Sequence, residues 1–125
     1  MRVVGIHHVQ LAMPPGGEDT ASRFYQGILG IPRVPKPDHL AARGGCWFES
    51  ATVRIHLGVE PGFAPAGKAH PALLVEDLTT LRRRLEEKGV TVEEDQPLPG
   101  FERFYVADPF GNRLEFLESI SYPNE

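Results

Sequence analysis

The sequence has a single cysteine, Cys46, so no disulfide can close within the chain and nothing in it calls for an oxidising compartment. It has no surplus of positive charge. Thirteen Lys and Arg stand against seventeen Asp and Glu, a net charge of −4, which excludes the basic field that holds nucleic acid or an anionic membrane. The basic run Arg82-Arg83-Arg84 is answered at once by Glu86-Glu87 and reads as a solvated helix face. No apolar run approaches the ~20 residues of a membrane span, and no charged segment followed by a long apolar one opens the sequence. A cytoplasmic protein is expected, with neither nucleic acid nor membrane as partner. What is present, 125 residues of which 41% are apolar and 24% charged, suits one compact domain. A chain of this size buries roughly 65% of its unfolded surface, enough for one core. Cys46, beside Trp47 and Phe48, reads as a small buried hydrophobe.

The order of elements repeats. Residues 3–13 are rich in β-branched and apolar residues and run into Pro14-Pro15-Gly16-Gly17, a strand closed by a turn. Ala21, Phe24, Tyr25, Ile28 and Leu29 follow at helical spacing, and the helix stops at Gly30. Strands are predicted around 45–49 and 52–59. In the second half, 70–76 reads as a strand, and Asp77 caps a helix carrying Leu78, Leu81 and Leu85 that ends at Gly89. Strands then fit 90–94, 101–107 and 112–118. The two helix-ending glycines lie 59 residues apart. The chain thus reads as α+β: two β-α-β-β-β modules, 1–60 and 68–119, joined by a Pro/Gly-rich linker within a single domain 1–125.

Strand alternation sorts the side chains. Val53, Ile55, Leu57 and Val59 form a face for the helix, with Arg54, His56 and Gly58 opposite. Leu114 and Phe116 take the helix side, leaving Arg113, Glu115 and Leu117. Val9 and Leu11 go under the helix while Ile6, His8, Gln10 and Ala12 face away; Leu73 and Val75 do so while His70, Ala72 and Leu74 face away. His8 and His70 occupy the first strands of their modules, and His56 and Glu115 the fourth, 59 apart like the glycines. If the modules pack about a pseudo-two-fold axis, three imidazoles and a carboxylate converge on the concave side of a curved sheet. Such a set suits one divalent ion: Fe²⁺, Mn²⁺, Ni²⁺ or Zn²⁺. A carboxylate left unpaired in an apolar cup is costly without a cation. Any one of these histidines alone would more often be a packed or hydrogen-bonded residue. His7, on the opposite face from His8, and His39, in a loop-like Pro-rich stretch, read as structural or solvated. Phe48, Leu74 and Leu117 are expected to line the cup.

Two motifs carry a family resemblance. Ile6-His7-His8-Val9-Gln10-Leu11, followed by the Phe24-Tyr25…Leu29-Gly30 helix, resembles the opening of glyoxalase and bleomycin-resistance proteins of the vicinal oxygen chelate superfamily. Tyr105-Val106-Ala107-Asp108-Pro109-Phe110-Gly111-Asn112-Arg113-Leu114-Glu115 resembles their closing strand pair, and the match runs from about residue 4 to 118. The resemblance implies a β cup with helices outside, a metal in it, and a small substrate bound to that metal through adjacent oxygens. By position, His8, His70 and Glu115 match ligands common to the metal-using branches. His56 falls where glyoxalase I has a fourth ligand, usually glutamate, and where extradiol dioxygenases have an acid–base histidine. Tyr105 matches the active-site tyrosine of the latter, though the histidine expected near residues 96–98 is missing: Gln96, Pro97 and Leu98 stand there. The implied catalytic residues are His56, Glu115 and Tyr105, the reaction a lyase, isomerase or, second, ring-cleaving type. The competing implication is a metal-free cup that sequesters an apolar or aromatic ligand. Small members of the superfamily usually form homodimers, which is expected here.

Overall fold

The computed structural model describes residues 1–120. The chain divides into two compact units, Met1–Ala64 and Pro65–Glu125, meeting inside the Pro/Gly-rich stretch. The fold is α+β throughout, with one sheet in each unit.

The first unit runs β1 (Val9–Met13), α1 (Glu18–Tyr25), β2 (Arg33–Val34), α2 (Asp38–Ala41), β3 (Cys46–Ser50) and β4 (Val53–Val59). Its sheet has the order β1-β4-β3-β2, with β1 parallel to β4 and the other pairs antiparallel. Ala21, Phe24 and Tyr25 are buried on one side of α1, and the Tyr25 ring stacks on Phe48 with centroids 5.3 Å apart. Phe48, Ile55, Leu57 and Met13 complete this core, each at most 1% exposed. Phe48 therefore belongs to the helix side of its sheet and not to a cup lining, since its register partner is Ile55. Cys46 is buried there too, and burial pushes its thiol up to about 11, which keeps it protonated and inert.

The second unit runs β5 (Ala72–Leu74), α3 (Leu78–Glu87), β6 (Phe101–Ala107) and β7 (Arg113–Ser119), in a sheet of order β5-β7-β6. The Asp77 carboxylate accepts from the Thr80 amide at 3.1 Å and caps α3, whose Leu78, Leu81 and Leu85 are buried. Leu114, Phe116 and Phe104 form the facing core. Asp108 makes the β6–β7 turn by accepting from the Phe110 and Asn112 amides, at 2.9 and 2.8 Å.

Four expectations are corrected. The first strand starts at Val9, not at residue 3, because the register pairs Val9 with Ile55 and β4 begins only two residues earlier, at Val53. Upstream residues run past the end of their neighbour and find no ladder partner. The strand expected over 70–76 is confined to Ala72–Leu74. The stretch 90–94 contributes only an isolated bridge, Glu93 with Tyr105, so the second unit holds three strands among the described residues. A short helix, α2, sits where a loop was read, and it carries His39 on an exposed turn.

The stretch after α2 is fastened to both sheet and helix. Glu18, in the first turn of α1, accepts from the Gly45 amide at 2.8 Å. That bond holds the Glu18 carboxyl below the usual carboxylate range, with partial burial working against it and Arg33 and Lys36 assisting. A depressed folded value stabilises the fold above the unfolded value near ~4.3, and the contribution is lost as pH falls through the folded value. Glu18→Gln should therefore be less stable than the parent at pH 7, the gap closing as pH drops from roughly 5 towards 3. Thermal melts at the two extremes check it, and a gap that widens in acid would refute the assignment.

Candidate metal and ligand site

The strand registers place the repeat residue by residue. Gln10 stands opposite His56 on β1–β4, and Ala72 stands opposite Glu115 on β5–β7. His8 and His70 each lie two residues before those positions and just ahead of their strands. On the other flank, Trp47 is opposite His56 and Tyr105 opposite Glu115. The four predicted positions thus hold equivalent places in the two sheets.

In the second unit, His70 and Glu115 meet. His70 Nε2 lies 2.9 Å from Glu115 Oε1, while His70 Nδ1 lies 2.8 Å from the Lys68 carbonyl. A carbonyl only accepts, so Nδ1 carries the proton of that bond, and Nε2 faces a carboxylate that also only accepts. Two acceptors this close require a proton or a cation between them. Two ligand atoms each ~2.1 Å from a metal and at right angles to each other lie ~3 Å apart, so the spacing also suits neighbouring ligands. The Nδ1–H···O=C bond is the kind that fixes the tautomer of a metal-binding imidazole.

Glu115 is 6% exposed and both its oxygens are engaged. Arg103 Nη1 donates to Oε2 at 3.1 Å and to the Tyr105 hydroxyl at 2.8 Å, and the guanidinium is fixed by two bonds to the Gln96 carbonyl. Burial works to raise the Glu115 carboxyl, but the bonds from His70 and Arg103 outweigh it and hold it below the usual range. Glu115 is a carboxylate at neutral pH. Tyr105 is buried, with Arg113 over its ring at 4.1 Å and the His70 ring edge-on at 5.3 Å. Its hydroxyl oxygen is taken by Arg103.

The first unit arranges its histidines differently. His8, His56 and Trp47 form one stack: His8–His56 centroids are 4.2 Å apart at 18°, His56–Trp47 4.1 Å at 5°. Imidazole lone pairs lie in the ring plane, so near-parallel stacked rings do not aim at one point. His56 is buried and its Nε2 lies 2.7 Å from Glu49 Oε2; His8 is exposed and its Nδ1 lies 3.0 Å from His7 Nδ1. His8 titrates below the ordinary imidazole value, through partial desolvation first, then through the neighbouring His56 and His7 rings. It is therefore neutral at pH 7. Among the described residues no group of three or more His, Cys, Asp or Glu side chains converges as a metal cluster.

Two residues escaped the sequence reading: Glu49, which holds His56, and Arg103, which holds Glu115. The signal existed. Alternation puts Glu49 in phase with Trp47 on β3 and Arg103 in phase with Tyr105 on β6, on the same faces as the predicted groups.

A cavity of about 600 Å³ opens on the first unit over this stack, bounded by His8, Trp47, His56, Gly58 and the segment from Lys36 to Gly44. The profile of the Glyoxalase/Bleomycin resistance protein/Dioxygenase superfamily matches residues 5–116, and the chain belongs to that superfamily. A crystal structure of a putative glyoxalase family protein from Bacillus anthracis is 45% identical, over 96% of this chain and 98% of that one, with a TM-score of 0.91. At lower identity the fold alone is shared. A lactoylglutathione lyase from Agrobacterium tumefaciens is 22% identical, covering 94% of this chain and 96% of its own, with a TM-score of 0.72. An antibiotic-binding protein from a Streptomyces species, TnmS3, is 21% identical over 95% and 100%, with a TM-score of 0.71. None of the curated proteins compared with the chain matches it. The fold thus serves both an enzyme and a binding protein. No helix among the described residues is long and apolar enough to cross a membrane.

Proposed function

We propose that this chain is a divalent-metal-dependent enzyme of the lyase or isomerase type, acting on a small substrate that offers adjacent oxygens. His70 and Glu115 are its central ligands, His8 is a further ligand, and His56 either binds the metal or moves a proton. The observation that carries this reading is the 2.9 Å approach of His70 Nε2 to Glu115 Oε1, with the His70 tautomer set by the Lys68 carbonyl. The donor set suits Fe²⁺, Mn²⁺, Ni²⁺ or Zn²⁺. A bound ion would supply Lewis-acid polarisation of a substrate oxygen.

The chain's own groups do the rest. Arg103 orients the Glu115 carboxylate and offsets its charge. Glu49 accepts from His56 Nε2, which fixes that ring and leaves Nδ1 as the atom that takes or holds a proton. Ring cleavage with Tyr105 as an acid–base group is the second enzymatic reading. The tie of its hydroxyl to Arg103 favours the first. The protein works as a homodimer, supported by the exposed Val3, Val4 and Ile6 upstream of the edge strand β1; sedimentation that returns only monomer would remove this part.

Stripping the protein and reloading it with each of the four metals tests the site. One ion per chain is expected for the parent and none for His70→Ala. No bound ion under any loading would end the enzyme reading in favour of the metal-free binder, which one observation supports: Arg103 already occupies Glu115 Oε2 with a positive charge.

A further inference from the structure

The cavity of the first unit carries an imbalance that the proposed metal chemistry does not use. Lys36, Arg43 and Arg54 all border it, and the single carboxylate on its wall is Glu49. Glu49 Oε2 is spent on His56, and no ion pair to Lys36, Arg43 or Arg54 exists among the described residues. Glu18, the carboxylate next to Lys36 behind Gly44, is engaged as well by the Gly45 amide, so three positive charges outnumber two negative ones that are already spent, in a chain whose net charge is −4. Like charges around a concave space raise the local potential and concentrate anions there.

Two of the three cations are held in place by backbone carbonyls rather than by ion pairs. Lys36 Nζ donates to the Gly44 carbonyl, drawing the ends of the 36–44 segment together. Arg54 Nη1 donates to the His7 carbonyl at 3.3 Å. Arg43 is exposed between α2 and Gly44, and its side chain makes no hydrogen bond or ion pair among the described residues. Gly44 and Gly45, at φ +74° and +82°, turn this segment back onto the sheet. The rest of the wall carries a flat face, the Trp47–His56–His8 stack, and the apolar Leu40, Leu57 and Val59, with His7 and Gln10 as its further polar groups. Gly58 has no side chain to fill the floor, and a Cβ there would meet the Gln10 amide at 2.4 Å. A volume of about 600 Å³ is that of a small-molecule site.

We infer that this cavity takes a ligand in which an anionic group, a carboxylate, phosphate or phosphonate, is joined to a planar apolar body. The Lys36–Arg43–Arg54 side receives the anion and the ring stack receives the body. Guanidinium favours planar or tetrahedral oxyanions with two parallel hydrogen bonds, and the stacked rings present a flat face. This names the substrate class of the proposed enzyme and rests on that reading only for what happens after binding.

Calorimetry on the full chain in a chelator, so that no metal takes part, tests it with four probes: phenylphosphonate, benzoate, neutral benzamide and inorganic phosphate. Phenylphosphonate and benzoate are expected to bind saturably, one per chain, at least about tenfold more tightly than benzamide or phosphate. Arg43→Gln should weaken phenylphosphonate by about tenfold with an unchanged melting temperature, because Arg43 supports nothing else. Lys36→Met should weaken it as well. Benzamide binding as tightly as benzoate, phosphate as tightly as phenylphosphonate, no binding by any probe, or an unaltered affinity in Arg43→Gln would each overturn the inference. Such a failure leaves the metal stoichiometry intact, whereas a failed metal site leaves the phenylphosphonate isotherm intact.

Discussion

Glu115→Ala is expected to lose metal affinity by more than ~100-fold, since replacing groups that merely orient a ligand already costs 10–100-fold. The carboxylate lies within hydrogen-bond distance of both His70 and Arg103. Without it, two cationic or donor groups confront each other with no acceptor between them, so the variant should also melt earlier than the parent. Glu115→Gln separates the two effects. Its amide oxygen still accepts from Arg103 and its size is kept, so most of the stability should return. The negative charge is gone, so the metal affinity should not. Metal titration and thermal melts of both variants check this. A Glu115→Gln protein that binds metal like the parent would show that the carboxylate is structural.

Gly45→Ala should cost roughly 3 kcal/mol or more, lowering the melting temperature by on the order of 10 °C. Gly45 has φ +82°, and a Cβ there would sit 2.2 Å from the Leu57 carbonyl oxygen, a backbone atom of the central strand β4 beside His56. Neither end of that clash is a flexible side chain. Gly44→Ala is the control. It shares the positive φ, +74°, but its Cβ would meet only side-chain atoms, Val59 Cγ2 at 3.0 Å and Glu18 Oε2 at 3.3 Å. Its cost should stay near the ~1–2 kcal/mol of the backbone conformation alone. Equal melting temperatures for the two variants would mean that Gly45 does not fasten this segment to the sheet.

Side-chain alternation was legible where strands have partners on both sides. In β4 and β7 it sorted Ile55 from His56 and Phe116 from Glu115, and the register confirms their equivalence in the two sheets. It misled at the strand ends. Residues 3–6 have the composition of a strand, but a ladder needs a neighbour, and β4 stops short of them. Segment 90–94 likewise has the residues for a strand and makes one bridge. Two of the three histidines predicted at strand positions, His8 and His70, therefore sit just outside their strands, where their rings are set by partners that spacing does not reveal. His70 turns to Glu115 and Lys68, and His8 lies on His56. Glu49 and Arg103 were hidden for a related reason: a charged residue on a strand reads as solvated until its cross-strand neighbour is known.

Anomalous diffraction from crystals of the full chain grown with Zn²⁺ addresses the central claim most directly. The account predicts one strong peak about 2.0–2.2 Å from both His70 Nε2 and Glu115 Oε1, with Nδ1 still bonded to the Lys68 carbonyl. A peak elsewhere, or none while His70 and Arg103 keep their present hold on Glu115, would contradict it.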